Sequence, residues 1–270
     1  MTNTKGNYAA VNGLRLYYEI HGQGQPLVLL HGGLNNVELL GDTLTQLATS
    51  RQVIAVELQG HGRTADIDRP IRYELMADDI AALIRHLGLT QSDVMGYSLG
   101  GGTALRVAIQ HPDLVRKLVL VSVAFKRTGS YPEVLAGMDQ MSGAAAEFMK
   151  QAPIYQSYAR VSPTPDKFPQ LLDKMGDMLR QPYDWSKEAA ALKMPMLLVF
   201  ADADSVTTDH MAEFYKLLGG GQRDAGWDGS NLPKSQLAIL PGLTHYNIFV
   251  SALLPAVVAP FLDAAMPTNK

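Results

Sequence analysis

Cysteine is absent from all 270 residues. That removes disulfides, thiolate nucleophiles and zinc–thiolate sites, and it suits a reducing compartment. No run of lysine or arginine occurs, and 23 basic against 26 acidic side chains leave a net charge of −3. The chain therefore lacks the basic footprint of a nucleic-acid binder. Long hydrophobic runs are missing too. The longest, MPMLLVFA at 194–201, falls far short of the roughly 20 residues a membrane span needs. The apolar SALLPAVVAPFL near the end is interrupted by Pro255 and Pro260. The opening MTNTKGNYAA is too polar for a signal peptide. No histidine pair has the H-E-x-x-H metal spacing. The expectation is a soluble cytoplasmic protein without metal or cofactor, acting on a small molecule. The sequence does not indicate an oligomeric state.

What is present is apolar residues, 47% of the chain, enough for one large core. The segment 13–20 reads as a strand, and Asn12-Gly13 ahead of it predicts a hairpin with YAAV. Further strands are expected at 26–32, 52–60, 92–98, 117–124, 195–201 and 235–240. Helices are expected at 36–49, 73–89, 99–112 and 208–218, with a helical region closing the chain. Strand and helix in alternation predict an α/β fold with a mostly parallel sheet flanked by helices. The rhythm breaks at 125–191, which holds helical fragments and no convincing strand. This predicts a core formed by 1–124 and 192–270, with 125–191 as a helical cap over the carboxyl edge of the sheet. Met138, Met141, Met149, Tyr155 and Tyr158 in the cap read mainly as helical packing. Trp227, in a glycine-rich loop, reads as a plug onto the body.

Four glycines surround one hydroxyl in MGYSLGGG, residues 95–102. A plain glycine-rich turn between strand and helix is one reading. A dinucleotide fingerprint starting at Gly100 fails at Leu105, and no Gly-Lys-Ser/Thr marks a P-loop. Gly96-Tyr97-Ser98-Leu99-Gly100 fits G-x-S-x-G, a sharp turn that exposes a serine between strand and helix. A serine nucleophile needs a base oriented by an acid. His245 follows the last expected strand, and Asp202 and Asp204 follow the one before it. Strand ends of this kind are where sites in parallel sheets gather. HGG at 31–33 also follows a strand and has backbone N–H groups to offer. Ser122 and Ser205 lack glycine neighbours and are set aside. His21, His86, His111 and His210 read as surface or helix-end residues, and Asp78 and Asp79 as a solvated helix face.

These segments, with ELQGHGRT at 57–64, ADADS at 201–205 and PGLTH at 241–245, resemble the α/β-hydrolase family over nearly the whole chain. The resemblance implies Ser98 as nucleophile, His245 as general base and Asp204 as the acid that orients it. It implies an oxyanion hole from the Gly33 and Leu99 N–H groups, and structural roles for His31 and His61. Asp202 is then left to bond backbone N–H groups of the turn. Many members read D-x-R-G-H-G-x-S where this chain has Glu57, Gln59 and Thr64. The implied activity is hydrolysis of a small carboxylic ester through an acyl-enzyme. Lactonase, C–C bond hydrolase and perhydrolase reactions use the same three residues, and a non-enzymatic ligand receptor also retains them. Dehalogenases and epoxide hydrolases place aspartate at the elbow, where this chain has Ser98.

Overall fold

A computed structural model describes residues 6–266. Eight strands form one sheet: β1 (Asn7–Val11), β2 (Leu14–His21), β3 (Gln25–Leu30), β4 (Arg51–Val56), β5 (Ser92–Tyr97), β6 (Val115–Val121), β7 (Met196–Ala203) and β8 (Gln236–Thr244). Their spatial order is β1-β2-β4-β3-β5-β6-β7-β8. The first two pairings are antiparallel and all others parallel. Asn12 and Gly13 both take positive φ, 47° and 81°, so β1 and β2 join by the expected two-residue turn.

Ten α-helices accompany the sheet among the described residues. They are α1 (Gly41–Leu47), α2 (Tyr73–His86), α3 (Leu99–Gln110), α4 (Pro132–Gln140), α5 (Ala146–Met149), α6 (Pro153–Val161), α7 (Phe168–Arg180), α8 (Ser186–Ala190), α9 (Thr208–Leu217) and α10 (Leu253–Asp263). Strand alternation sorts the core into two layers. Val28 and Leu30 of β3 join the layer built with α2, α3 and α9, while Leu27 and Leu29 join the layer built with α1 and α10. All four are fully buried, which is why β3 reads as an unbroken apolar run. Each such side chain contributes about 1.5–3 kcal/mol by leaving water.

Helices α4 to α8 lie between β6 and β7. Phe168, Leu172 and Met175 of α7 belong to the same apolar cluster as Met76 and Ala104. The inserted helices thus share the main core. Their entry is anchored by His210 on α9. Its ring stacks on Phe125 at 4.3 Å, and its Nε2 accepts the Phe125 amide at 3.2 Å.

Several expectations need correction. The helix expected at 36–49 is a 3-10 turn over Val37–Leu40 followed by α1, broken where Gly41 takes φ 51°. The strand expected at 52–60 ends at Val56, because the Glu57 side chain turns the chain by accepting the Val37 amide and pairing with Arg63. β6 ends at Val121, and β8 runs on through Pro241 and Gly242 to Thr244. Trp227 plugs nothing; it is fully exposed. His210 is buried, not at the surface. Asp79 is buried also, bonded to Asn12 at 3.1 Å and paired with Arg69.

Three buried histidines are held neutral. His31 donates from Nδ1 to the Gly32 carbonyl and accepts the Leu58 amide at Nε2, so both nitrogens are used without a charge. Burial pushes it down to about 3 and pushes His61 and His210 to about 4. An unfolded histidine titrates near 6.5. Below that pH the unfolded chain takes up protons the folded one refuses, so stability falls with pH from about 6.5 to about 4. Each histidine contributes a slope of at most ~1.4 kcal/mol per pH unit in that window. Thermal melts from pH 7 to 4 on the wild type and His61→Asn will show a shallower decline in the variant. Equal slopes would contradict the neutral assignment.

Candidate active site

The sheet order reverses direction between β3 and β5, since β3 connects outward to β4 on one side and β5 pairs with it on the other. Loops leaving the carboxyl ends of such neighbours part and open a crevice. The HGG loop leaves β3 there, and Ser98 leaves β5.

Ser98 has φ 52° and ψ −115°, a backbone state that L-residues avoid. It is sustained by close packing on both sides. A Cβ on Gly96 would stand 2.0 Å from the Gly100 carbonyl oxygen, and a Cβ on Gly100 would stand 2.5 Å from that of His31. Only glycine satisfies these two approaches. The Ser98 amide bonds the Val121 carbonyl at 2.9 Å, extending the ladder to β6 past the end of β5. The hydroxyl is left at the start of α3, facing the crevice.

His245 follows β8 directly. Its Nε2 lies 3.1 Å from Ser98 Oγ, and its Nδ1 lies 2.9 Å from Asp204 Oδ1. The ionised carboxylate accepts a hydrogen bond from Nδ1–H and so fixes the proton on that nitrogen, which leaves Nε2 bare toward the serine. The loop is fixed from below. Tyr97 donates its hydroxyl to the His245 carbonyl at 2.5 Å, and its ring packs on Phe249.

Asp204 follows β7 with its side chain fully buried. Burial pushes its carboxyl up. The hydrogen bond and charge of His245, the Ser122 hydroxyl at 2.5 Å and the Ala201 amide at 3.0 Å outweigh that and hold it below the ordinary carboxylate range. The group is therefore an anion and acts only as an acceptor. Asp202 has a separate task. It lies within β7, not beyond it, and its exposed carboxylate accepts the Gly242 and Leu243 amides at 2.9 and 3.1 Å. It thereby pins the bend of β8 that delivers His245.

Gly33 and Leu99 line the same cavity as Ser98 and His245. A Cβ on Gly33 would be 3.9 Å from that of Leu99, so the two residues are neighbours across the crevice. Among the described residues neither amide has a protein acceptor. Asn36 holds this loop, bonding Ser157 of α6 at 2.9 Å and capping Glu38. The cavity is about 720 Å³. Met138, Met141, Met175, Leu179 and Tyr183 form its apolar wall. Met149, Tyr155 and Tyr158 pack into the core instead.

Sequence reasoning missed two hydroxyls. Ser122, set aside for want of glycine neighbours, has φ 52°, and its amide reaches Val199 as that of Ser98 reaches Val121. Ser205 Oγ lies 2.9 Å from His245 Nδ1. Their signal was position, each directly after a parallel strand or its acidic neighbour. A bare imidazole nitrogen on a hydroxyl, beside two unspent amides, can support attack on a carbonyl carbon.

The family described as alpha/beta hydrolase fold matches residues 25–182. A pimeloyl-[acyl-carrier protein] methyl ester esterase of Neisseria meningitidis is 32% identical over 205 residues, covering 69% of this chain and 78% of that protein. A 2-hydroxymuconate semialdehyde hydrolase from a Pseudomonas species is 31% identical over 151 residues, 54% of this chain and 52% of its own. The crystal structure of E-2-(acetamidomethylene)succinate hydrolase superposes with a TM-score of 0.75 at 19% identity, covering 97% of this chain and 100% of that one. Sequence match and sheet architecture agree: the chain belongs to the α/β-hydrolase fold family.

Proposed function

We propose that the protein is a serine hydrolase of small carboxylic esters. The observation that carries this is the bonded series Asp204–His245–Ser98, opening on a cavity where two amides are unspent. In the reading, Ser98 Oγ attacks the ester carbonyl as His245 Nε2 takes its proton. The Gly33 and Leu99 N–H groups receive the negative charge that develops on the carbonyl oxygen. His245 then returns the proton to the leaving alcohol, and the acyl group remains on Ser98. Water, deprotonated by the same nitrogen, releases the acid. Asp204 stays ionised throughout and stabilises the imidazolium between the two transfers. Helices α4 to α8 act as the cap that bounds the acyl and alcohol pockets. The esterase among the relatives supports ester chemistry.

Replacing Ser98 with alanine will abolish turnover of p-nitrophenyl esters while circular dichroism and melting stay near wild type. Full activity in the folded variant would end the nucleophile assignment.

The two aspartates separate by readout. Asp204→Asn leaves His245 without its anionic acceptor and will lower kcat by about four orders of magnitude, as in a related triad. Asp202→Asn will lower the melting temperature and keep kcat near wild type, because its carboxylate serves the β8 bend. Steady-state kinetics and melting curves decide this, and the reverse pattern would exchange the two roles.

A cavity of about 720 Å³ roofed by the inserted helices favours short acyl chains. In a series of p-nitrophenyl esters, kcat/KM will peak at short chains. A maximum at the longest chains of the series would contradict the short-chain preference.

A further inference from the structure

The charge of the cavity points to a substrate class. Among the described residues its lining holds one carboxylate, Glu133, and no lysine or arginine. Glu133 sits in the first turn of α4 and has no ion pair or hydrogen bond among the described residues. Its position is set by helical spacing. Glu133, Val134, Gly137 and Met138 fall on the cavity face of α4. A Cβ on Gly137 would meet nothing within 4 Å, as expected where that face borders open space.

The nearby cations are committed elsewhere. On α7, Met175 and Leu179 face the cavity. Lys174 of the same helix binds Asp66 and the Ile67 and Arg69 carbonyls, and Arg180 binds the Asp139 and Met141 carbonyls. Arg127 pairs with Asp139 on the other side of α4. Arg72 pairs with Asp177. These four positive charges are thus held by protein acceptors, and none of them lines the cavity.

We infer that the site selects its ester by charge, taking substrates whose far end is cationic or neutral and rejecting those that carry a carboxylate. The inference rests on the ester-hydrolase reading and adds the charge of the substrate to it. A cationic end gains from Glu133, and the aromatic residues Tyr73 and Tyr183 line the same cavity. A carboxylate there meets the like charge of Glu133, which is exposed at the cavity rim, with no cation in the lining to offset it. The alternative is that Glu133 serves only the positive N-terminus of α4. That role affects the stability of the helix and is indifferent to the charge of the substrate.

The test compares three p-nitrophenyl esters of one acyl length, ending in a methyl group, a carboxylate or a trimethylammonium group. In the wild type, kcat/KM will fall in the order cationic, neutral, anionic, with roughly tenfold between the extremes at low salt. The spread will narrow as salt is raised, because the rim is partly exposed. In Glu133→Gln the ratio of kcat/KM for the cationic ester to that for the neutral ester will fall to about one. Glu133→Lys will reverse the order. Equal rates for the three esters, or a preference for the carboxylate, would overturn the inference from the wild type alone. An order that survives intact in Glu133→Gln would remove Glu133 from it. Labelling of Ser98 by a fluorophosphonate and turnover of the neutral ester are measured alongside. Their failure would count against the hydrolase reading itself, and their success with no charge order counts against this inference only.

Discussion

The contact on which the site depends is the approach of the Gly96 and Gly100 backbones on either side of Ser98. With 2.0 Å between a notional Gly96 Cβ and the Gly100 carbonyl, no side chain fits there. That closeness holds Ser98 at positive φ and starts α3 at the edge of the sheet instead of along it. Two consequences follow. The hydroxyl faces the crevice instead of the core, and the Leu99 amide is turned toward the same space. A single turn therefore sets both the candidate nucleophile and one of the candidate oxyanion donors. The strain is supported by the buried strands and by α3, whose burial is far larger in energy than one unfavourable backbone state costs.

The rest of the site is assembled by strand ends, each tied to its neighbour. Tyr97 of β5 holds the carbonyl of His245 after β8, and Ser122 after β6 holds Asp204 after β7. Asp202 ties β7 to the bend of β8. These bonds cross from strand to strand at the carboxyl edge, so the geometry does not rest on any one flexible loop. They also place a carboxylate, an imidazole and a hydroxyl in line.

The core architecture was legible because its signals are local. Apolar runs marked β3, β6 and β7, glycine marked the elbow after β5, and Asn12-Gly13 marked the hairpin. The positions of Ser98, Asp204 and His245 could be found since each follows a strand. What could not be read depends on contacts distant in sequence. The strand ending at Val56 was drawn too long because Glu57 bends the chain through partners on another loop. His210 and Asp79 looked like surface residues since Phe125 and Asn12, which help bury and satisfy them, lie 85 and 67 residues away along the chain. Ser122 gave no glycine signal, yet its amide and hydroxyl both serve the site. The cavity face of α4 was hidden for a similar reason: no residue of α4 is buried, so its apolar pattern is weak.

The central claim is a covalent acyl intermediate on Ser98. Rapid quenching of the enzyme with a p-nitrophenyl ester, followed by intact-mass and peptide mass spectrometry, addresses it directly. The account predicts an adduct equal to the acyl group, formed with the initial burst of p-nitrophenol and confined to the peptide containing Ser98. Turnover with no adduct under conditions where deacylation is slow, or an adduct on another residue, would contradict it.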